Sequence, residues 1–493
     1  MSQDAEKEAR LDTTLFDSFE YQGYFWLPAT PDRKIPGVVR FASSDITLSL
    51  LGMLVETTLQ QLAVVGPPFK ADIILGQAQN GKKLTLYECT QIGTSTTIPH
   101  GTGSSTLSAG CLLIGKHFGS KADLLFHSLS INYLHLEEWL AYKPFPPQDE
   151  EKDAAGETTT YLSRYVVPDK LNYPVASLGC DILIDSQMFF GGFASFHKES
   201  REHVALLTVK PAAKQPFDWF LERIVDLQNL LTLLIGEPTF PKRTVLYGDE
   251  IAGPGFTYRE DIQLFFHPAH GKIGERLHPV KMLAMFPAVS AHFGTILDSW
   301  FAKRELLENV CDLFFGVIYN NYLFLQFRFL GLIQALETYC RRVQGGKYLP
   351  EADYEKIAAA LKAALPTTTP QDLRNSLVQG KIKYGNEYSL RKRLRELLCS
   401  LEDDTTKLVT PTLGKFCEEV TATRNYLTHY SSELQAQAFK GGDLYAAYLR
   451  LRLLVTIVLL KELGLDEKAI RDLLANSHSR LAESARMGYT VYV

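Results

Sequence analysis

Short apolar runs broken by glycine and proline mark the first part of the chain. Between residues 16 and 209, stretches such as YQGYFWLP, IPGVVRF, DITLSLLG and KLTLYECT are rich in β-branched and aromatic residues. The turn-forming residues recur about every ten positions, a spacing typical of an antiparallel sandwich or barrel. Residues 143–160 are instead proline-rich, then acidic and small, which indicates a solvated loop. The pattern therefore predicts a β-rich N-terminal half.

The period of the apolar positions changes to that of a helix after Pro216. Apolar side chains recur at helical spacing from Phe217 to Leu234, until Gly236 and Pro238 interrupt them, which predicts one amphipathic helix. Residues 237–290 mix strand-like pieces with glycine and proline and are assigned only as a domain junction. We therefore divide the chain into a β-rich domain at 1–236, the junction at 237–290 and an all-α domain at 291–493.

A helical bundle is predicted for the rest of the chain. Helices are expected near residues 296–318, 321–343, 351–364, 389–401, 411–430, 443–463 and 466–475. The segment 321–343 is apolar on nearly every side, so we expect it to form the central buried helix. Thr410 and Pro411 predict an N-cap followed by proline in the first helical turn. The predicted fold class is α+β with several domains, which a length of 493 residues also favours.

Composition and charge narrow the class of protein. Hydrophobic residues make up 46% of the chain and charged residues 22%, as in ordinary globular proteins. A net charge of -5 argues against non-specific coating of nucleic acid, although it permits a local basic cleft. Seven scattered cysteines without a CxxC pair favour a reducing compartment. With no apolar signal segment and no apolar run near ~20 residues, the chain is expected in the cytoplasm, away from membranes.

The predicted helix at 411–430 carries an arginine within its apolar stripe. That stripe consists of Leu413, Phe416, Cys417, Val420 and Leu427. A guanidinium at Arg424 therefore needs a carboxylate, a backbone acceptor or a phosphate as its partner. Glu337, a rare carboxylate on the apolar segment 321–343, is the candidate partner. An ion pair with Arg341, one helical turn further on, explains Glu337 equally well.

The chain reads Arg-Asn-Tyr-Leu-Thr-His from Arg424 to His429, and the two ends of this string do not converge on a straight helix. They lie roughly 140° apart around the axis, whereas Asn425 and His429 share a face. Both can act on one phosphate only if the helix end is distorted, the arginine bends round, or a second copy contributes. Two copies related by a two-fold axis would bring both strings into one cleft, lined by Glu418, Ala422, Asn425 and His429.

In this string the sequence resembles the nuclease members of the HEPN family, helical bundles that carry arginine, a polar residue and, a few positions on, histidine. Arg424, Asn425 and His429 match that pattern, and LIQALETYCRR resembles the family's central helix, with Glu337 in a suitable place. The segment SFEYQGYFWLPATPDRKIPGVVRFASSDITLSLLG resembles the N-terminal domain of ApeA-type anti-phage proteins. Together the two resemblances cover most of the chain outside about 237–290.

The resemblance implies a metal-independent endoribonuclease without cofactors that acts in abortive anti-phage defence, with tRNA among its substrates. It also implies a homodimer, or a higher oligomer, formed through the HEPN domain. The N-terminal domain would sense a phage-derived trigger or regulate the nuclease. The sequence names neither the trigger nor the RNA.

The resemblance also assigns roles to the string. His429 would act as general base or acid on the ribose 2′-hydroxyl and the leaving oxygen, since imidazole exchanges protons near neutral pH. Arg424 would bind the phosphate as charge develops, and Asn425 would orient the histidine or the phosphate. Supporting roles are expected for Glu337, Thr428 and Tyr430.

A basic cluster interleaved with tyrosines precedes the string. It contains Lys381, Lys383, Arg391, Lys392, Arg393 and Arg395, around Tyr384 and Tyr388. The simplest interpretation is a solvated helix face. It is also the first candidate for contacts to the RNA backbone, in which the tyrosines stack on unpaired bases. The residues predicted to bind RNA are Lys383, Arg391, Arg393 and Lys415.

Two alternatives from other functional classes stay open. In one, the bundle is catalytically inactive and only dimerises or binds nucleic acid, while the β-rich domain binds a ligand. The other, a carbohydrate-active β-domain, ranks last because no two carboxylates pair convincingly. His267 and His270 form an HxxH pair without a third ligand at suitable spacing, so no metal site is assigned.

Overall fold

The chain folds into two compact units. The first extends to Pro279 and also includes Met285–Gly294, and the second comprises Val280–Ala284 and the chain from Thr295 onward. The computed structural model describes residues 13–55, 67–95, 103–191, 197, 199–253, 256–268, 276–320, 322–430 and 433–486. Strands prevail in the first unit and helices in the second, which confirms the predicted fold class.

Antiparallel strands build most of the first unit. Within the described residues they are β1 (Phe19–Trp26), β2 (Ile35–Ala42), β3 (Asp45–Leu50), β4 (Lys70–Ala78), β5 (Lys83–Ser95), β6 (Ser104–Ile114), β7 (Leu125–Phe126), β8 (Ser128–Tyr133), β9 (Asp149–Lys152), β10 (Thr158–Leu162), β11 (Leu171–Val175), β12 (Cys180–Gly191), β13 (Ser200–Pro211), β14 (Gln215–Pro216), β15 (Pro241–Gly253) and β16 (Phe256–Phe266). Twelve of them form one sheet in the order β11-β12-β13-β8-β15-β16-β6-β3-β2-β1-β4-β5. Two small sheets pair β9 with β10 and β7 with β14.

The position of β15 and β16 corrects the predicted domain division. The segment 237–290 was assigned only as a junction, but its two strands lie inside the main sheet, between β8 and β6. β15 pairs with β8 over a register that includes Thr244 opposite Ile131. The first unit therefore extends well beyond residue 236, because this long-range pairing completes its sheet.

One end of the main sheet closes into a barrel. β5 pairs directly with β6, from Leu84 opposite Ile114 to Ser95 opposite Ser104, so β6, β3, β2, β1, β4 and β5 form a closed ring. Along its other edge, β6 pairs with β3 through residues 105–108 and with β16 through residues 111–114. Alternate side chains of the ring are buried together, among them Phe25, Val39, Phe41, Ile46 and Leu48. This is the alternation that the sequence pattern predicted.

A long helix packs on this sheet. The first unit contains α1 (Leu136–Leu140), α2 (Phe217–Ile235) and α3 (Phe286–Val289). α2 confirms the predicted amphipathic helix. Its Ile224 carbonyl accepts a hydrogen bond of 2.7 Å from the Tyr133 hydroxyl of β8, and the rings of Phe217 and Phe220 pack against Phe126 of β7. α2 thus covers one face of the sheet.

Helices account for most of the second unit. In chain order they are α4 (Phe293–Ala302), α5 (Arg304–Tyr319), α6 (Leu325–Tyr339), α7 (Glu351–Ala363), α8 (Gln371–Ser376), α9 (Leu390–Cys399), α10 (Asp403–Val409), α11 (Leu413–His429), α12 (Gly441–Glu462), α13 (Glu467–Asn476) and α14 (Arg480–Arg486). Two π-helical turns, Cys340–Gln344 and Leu377–Ile382, extend α6 and α8. None of the helices in the described ranges is long and apolar enough to cross a bilayer.

Several predicted helix boundaries differ from the structure. The helix expected at 296–318 breaks at Lys303, and the short helices α8, α10 and α14 were not predicted, because few turns give little periodicity. α11 begins at Leu413, after the proposed Thr410 cap. The Thr410 hydroxyl instead accepts a hydrogen bond of 3.2 Å from the Thr412 amide.

The central buried helix is α12, and the prediction for 321–343 is wrong. Nearly every side chain of α12 from Leu444 to Leu460 is buried. α6 buries one face, including Phe329 and Leu336, but leaves Phe327 59% exposed. Large apolar side chains also occur on surfaces, so apolar composition alone does not identify the helix that lies at the centre.

Leu454→Ala tests the packing around α12. The Leu454 side chain is fully buried, so we expect its truncation to destabilise the second unit by about 2–5 kcal/mol. Urea denaturation followed by circular dichroism measures the change. Leu361→Ala is the matched control, because the Leu361 side chain of α7 is 48% exposed. Equal midpoints for the two variants would contradict the central position of α12.

Candidate active site

The string from Arg424 to His429 occupies the last turns of α11. The buried side of this helix consists of Phe416, Cys417, Val420, Ala422 and Thr423. The Arg424 side chain is 37% exposed, and His429, the last helical residue, is exposed. The helix is regular up to His429 and ends where Tyr430 adopts a left-handed conformation, with φ of 50°. The helix end is therefore not distorted within the string.

The Arg424 guanidinium lies between a carboxylate and an amide. Its Nη2 is 4.0 Å from Oε2 of Glu337, and its Nη1 donates a hydrogen bond of 3.1 Å to Oδ1 of Asn425. The Thr428 hydroxyl donates to the Arg424 carbonyl at 2.7 Å. A contact of 4.0 Å is longer than a hydrogen bond, so the carboxylate leaves Arg424 able to bind an anion.

Glu337 contacts both of its predicted partners, Arg341 and Arg424. Its Oε1 is 3.1 Å from Nη2 of Arg341, while its Oε2 faces Arg424. Arg341 also pairs with Glu387. Partial burial lowers the pKa of Arg341, but the hydrogen bonds and charges of Glu337 and Glu387 outweigh it and raise the pKa above its usual value. Arg341 therefore stays cationic beside the string.

A groove separates α6 from α11 at this point. Its cavity volume is about 490 Å³, a size typical of small-molecule sites. The lining residues are Leu330, Ile333, Gln334, Glu337, Thr338, Arg341, Arg424 and Thr428. His429 lies outside this lining, as its angular distance from Arg424 on the helix requires. One copy of the chain thus places the arginine in the groove and the histidine elsewhere.

Four of the other residues predicted for the site are exposed and do not line this groove. Tyr430 is exposed, and its ring packs edge-on against Tyr426 at 5.5 Å. Lys383, Arg391 and Lys415 lie on the surface. Arg391 pairs with Glu418 at 3.2 Å, Lys415 with Glu419 at 3.8 Å, and Lys383 contacts the Tyr384 ring. Their charges are accessible to a polyanion.

Arg393 does not fit the predicted RNA-binding set. Its side chain is only 3% exposed. Its guanidinium donates to the carbonyls of Tyr388 and Gly345 and to the Glu387 carboxylate. The predicted RNA contact of Arg393 is therefore wrong. The basic cluster lies partly on α9. The number of basic residues in this segment did not reveal that Arg393 points to the buried side of the helix.

Arg393→Met tests this structural role. Removing the guanidinium leaves the carbonyls of Tyr388 and Gly345 without this donor and takes one of its two cations from Glu387, so we expect a loss of about 3–5 kcal/mol in the free energy of unfolding. The thermal midpoint measures it. Arg391→Met is the matched control, because its exposed ion pair contributes no more than about 1 kcal/mol. An unchanged midpoint for Arg393→Met would show that its hydrogen bonds do not support the fold.

Two buried thiols on the helical segments that flank the groove, Cys340 and Cys417, are unsuited to nucleophilic chemistry. Burial raises the pKa of Cys340 to about 12 and that of Cys417 to about 11. Both are thus protonated near neutral pH. No group of three or more His, Cys, Asp or Glu side chains in the described residues could hold a metal ion, and His270 lies outside those residues. The polar groups that the string and its groove present include Arg424, Asn425 and Glu337, with His429 outside the groove.

Sequence reasoning missed part of the groove. Leu330, Gln334 and Thr338 share with Glu337 the face of α6 that lines it. Spacings of three and four residues on one helix give neighbouring side chains, so this signal was present in the sequence. Glu387 had no such signal, because it is far from Arg341 along the chain.

Comparison with protein families covers both halves of the chain. A family model described as ApeA N-terminal domain 1 matches residues 20–300, more than half of the chain, and includes the segment 237–290. A model described as Apea-like HEPN matches residues 330–469 and includes the complete string and its groove. No curated protein and no solved structure matches the chain.

Proposed function

Because this chain belongs to the ApeA family, with an ApeA N-terminal domain followed by an Apea-like HEPN domain, we propose that it is an endoribonuclease of anti-phage defence. One observation carries the proposal. Arg424 lines a groove, 4.0 Å from Glu337, in the same helix end that presents the exposed His429. A cation able to bind phosphate and a group able to transfer protons are the parts that such a reaction needs.

In the proposed reaction the RNA supplies its own nucleophile. His429 takes the proton of a ribose 2′-hydroxyl, whose oxygen attacks the adjacent phosphorus, and the bond to the 5′-oxygen breaks. The protonated His429 or a water molecule gives a proton to the leaving 5′-oxygen, which yields a 2′,3′-cyclic phosphate and a 5′-hydroxyl. Arg424 binds the phosphate oxygens as their charge grows, and Asn425 holds the guanidinium through its hydrogen bond. This cleavage uses no metal-bound hydroxide.

We further propose that the catalytic cleft forms between two HEPN domains. α11 is regular up to His429, so the histidine and the groove that contains Arg424 face different directions within one copy. A two-fold axis would bring His429 of a second copy to the Arg424 and Asn425 of the first. The resulting homodimer would carry two such clefts.

The proposed substrate is RNA, with tRNA as the first candidate. Lys383, Arg391 and Lys415 are exposed cations that would contact its backbone. The ApeA domain would sense a phage-derived trigger and hold the nuclease inactive until infection. These events would take place in the cytoplasm.

End-mapped RNA sequencing tests the proposal. Cells expressing the wild type, Arg424→Ala or His429→Ala are compared with and without phage challenge. We expect discrete cuts with 2′,3′-cyclic phosphate ends in the wild type alone, and the cut sites identify the RNA. If challenged cells show no cuts that depend on either residue, the nuclease function fails and the HEPN domain acts in binding or dimerisation.

A further inference from the structure

Residues 345–388, named the arm here, leave the bundle after α6 and return before α9. The arm carries α7 and α8 and is closed at its base, where Lys347 and Glu387 form an antiparallel bridge. Next to it, the Asn386 side chain is buried and makes two hydrogen bonds of 2.9 Å to the backbone of Leu349. The base of the arm is therefore held in a defined register.

Glu387 connects this base to the proposed active site. Its carboxylate lies 3.4 Å from Nη2 of buried Arg393 and also pairs with Nη1 of Arg341. Arg341 reaches Glu337 through its other nitrogen, Nη2, at 3.1 Å. Glu337 in turn is 4.0 Å from Arg424. An unbroken chain of four charged side chains thus runs from the arm to the proposed phosphate-binding arginine.

The two terminal nitrogens of Arg341 bind different carboxylates, and this arrangement determines which oxygen of Glu337 faces Arg424. With Nη1 held by Glu387, only Nη2 binds Glu337, through Oε1, and Oε2 is left facing Arg424. Without Glu387, the fork of Arg341 is free to bind both oxygens of Glu337, which is the preferred geometry of an arginine and a carboxylate. Arg424 would then lose the carboxylate that orients it.

We propose that Glu387 is a positioning residue of the nuclease, an inference that rests on the proposed function. It holds Arg341 away from a bidentate pair with Glu337 and so keeps Arg424 oriented towards the RNA phosphate. Because the arm carries Glu387, the seating of the arm on the bundle sets the orientation of Arg424. The arm therefore affects the geometry of the site, although it is not part of the string from Arg424 to His429.

The charge of the cluster gives a second consequence. Its three guanidinium groups and two carboxylates sum to +1, and Glu387→Gln raises this sum to +2. A more positive groove binds a polyanion more tightly. Loss of Glu387 should therefore improve RNA binding while it impairs the chemical step, a combination that general unfolding does not produce.

Steady-state kinetics of the full chain test the proposal. The probe is an oligoribonucleotide that spans a cut site found by end mapping. For Glu387→Gln we expect kcat to fall about tenfold and KM to fall about threefold, both measured well below a thermal midpoint that is lowered because buried Arg393 loses its carboxylate partner. Glu351→Gln is the matched control, because it removes another carboxylate that pairs with Lys347 at the arm base and contacts neither Arg341 nor Arg393. We expect wild-type kinetics for it.

Two further variants keep the test decisive. Glu387→Asp retains the negative charge but draws it back from Arg341 and Arg393, so it should lower kcat and leave KM near the wild-type value, even if Glu387→Gln is unstable. In an Arg341→Gln background, Glu387→Gln should have no further effect on kcat, since Glu387 positions Arg424 through Arg341. The proposal would be overturned if the kcat of Glu387→Asp equalled that of the wild type. It would also be overturned if Glu387→Gln lowered kcat by the same factor in the Arg341→Gln background as in the wild type.

Arg424→Ala, measured in parallel, separates the two levels of failure. If Arg424→Ala cleaves the probe at the wild-type rate, the proposed nuclease function fails and the role of Glu387 fails with it. If Arg424→Ala is inactive while the Glu387 variants match the wild type, only the positioning role is overturned.

Discussion

His429→Ala is expected to lower kcat for RNA cleavage by about 10²–10⁴-fold, the range over which a positioned acid or base contributes. The imidazole is the proposed proton-transfer group, and alanine cannot replace it. Because His429 is exposed at the end of α11, its removal should leave the thermal midpoint unchanged. Cleavage of the mapped oligoribonucleotide and a thermal scan of the same preparation measure both quantities.

His478→Ala is the matched control for this experiment. His478 is an exposed histidine of the same unit, and it is not a residue that lines the groove. We expect it to cleave RNA at the wild-type rate. A His429→Ala protein that cleaves as fast as this control would exclude proton transfer by His429 and, with it, the proposed mechanism.

Mixing two inactive chains should restore activity if the cleft is shared between copies. In a dimer of Arg424→Ala with His429→Ala, one cleft lacks both groups and the other has the intact arginine and the intact histidine. Random pairing makes about half of the dimers mixed, so co-expression should recover about a quarter of the wild-type rate. The rate is measured on protein purified from cells that express both chains.

The control for the recovery of cleavage activity is a chain that carries both Arg424→Ala and His429→Ala. Co-expressed with Arg424→Ala, it forms dimers in which no cleft has the full set of groups, so no recovery is expected. If the first mixture is as inactive as this control, Arg424 and His429 act within a single copy. The helix end would then have to rearrange when RNA binds.

The sequence predicted elements whose pattern is local. α2 and the alternating strands of the barrel were expected, because the periods of helix and strand are visible over a few turns. The segment 237–290 was not, since β15 joins β8 across a long stretch of chain and its pairing leaves no local signature. The choice of 321–343 over α12 as the central helix failed for a related reason. Apolar content does not reveal which faces neighbouring helices cover.

The partner of Arg424 was predicted from its position in the apolar stripe, although the Arg424 side chain is 37% exposed in the structure. Arg424 within an apolar stripe required a counter-charge, and Glu337 is close to it in the structure. Arg393 was misjudged because its partners are backbone carbonyls at a turn, which no sequence pattern shows. Glu387 was missed because its contacts with Arg341 and Arg393 depend on how the arm returns to the bundle.

Closure of the barrel also bears on how the sheet avoids aggregation. Both edges of β5 are hydrogen-bonded, to β4 and to β6, so among the described strands the terminal strand of the main sheet at its other end is β11. That strand is only five residues long and contains Pro174, which has no amide hydrogen to donate. Short edge strands with proline are poor templates for aggregation. Closure at one end of the sheet and a short, proline-containing strand at the other therefore protect both ends of the strand order against self-association.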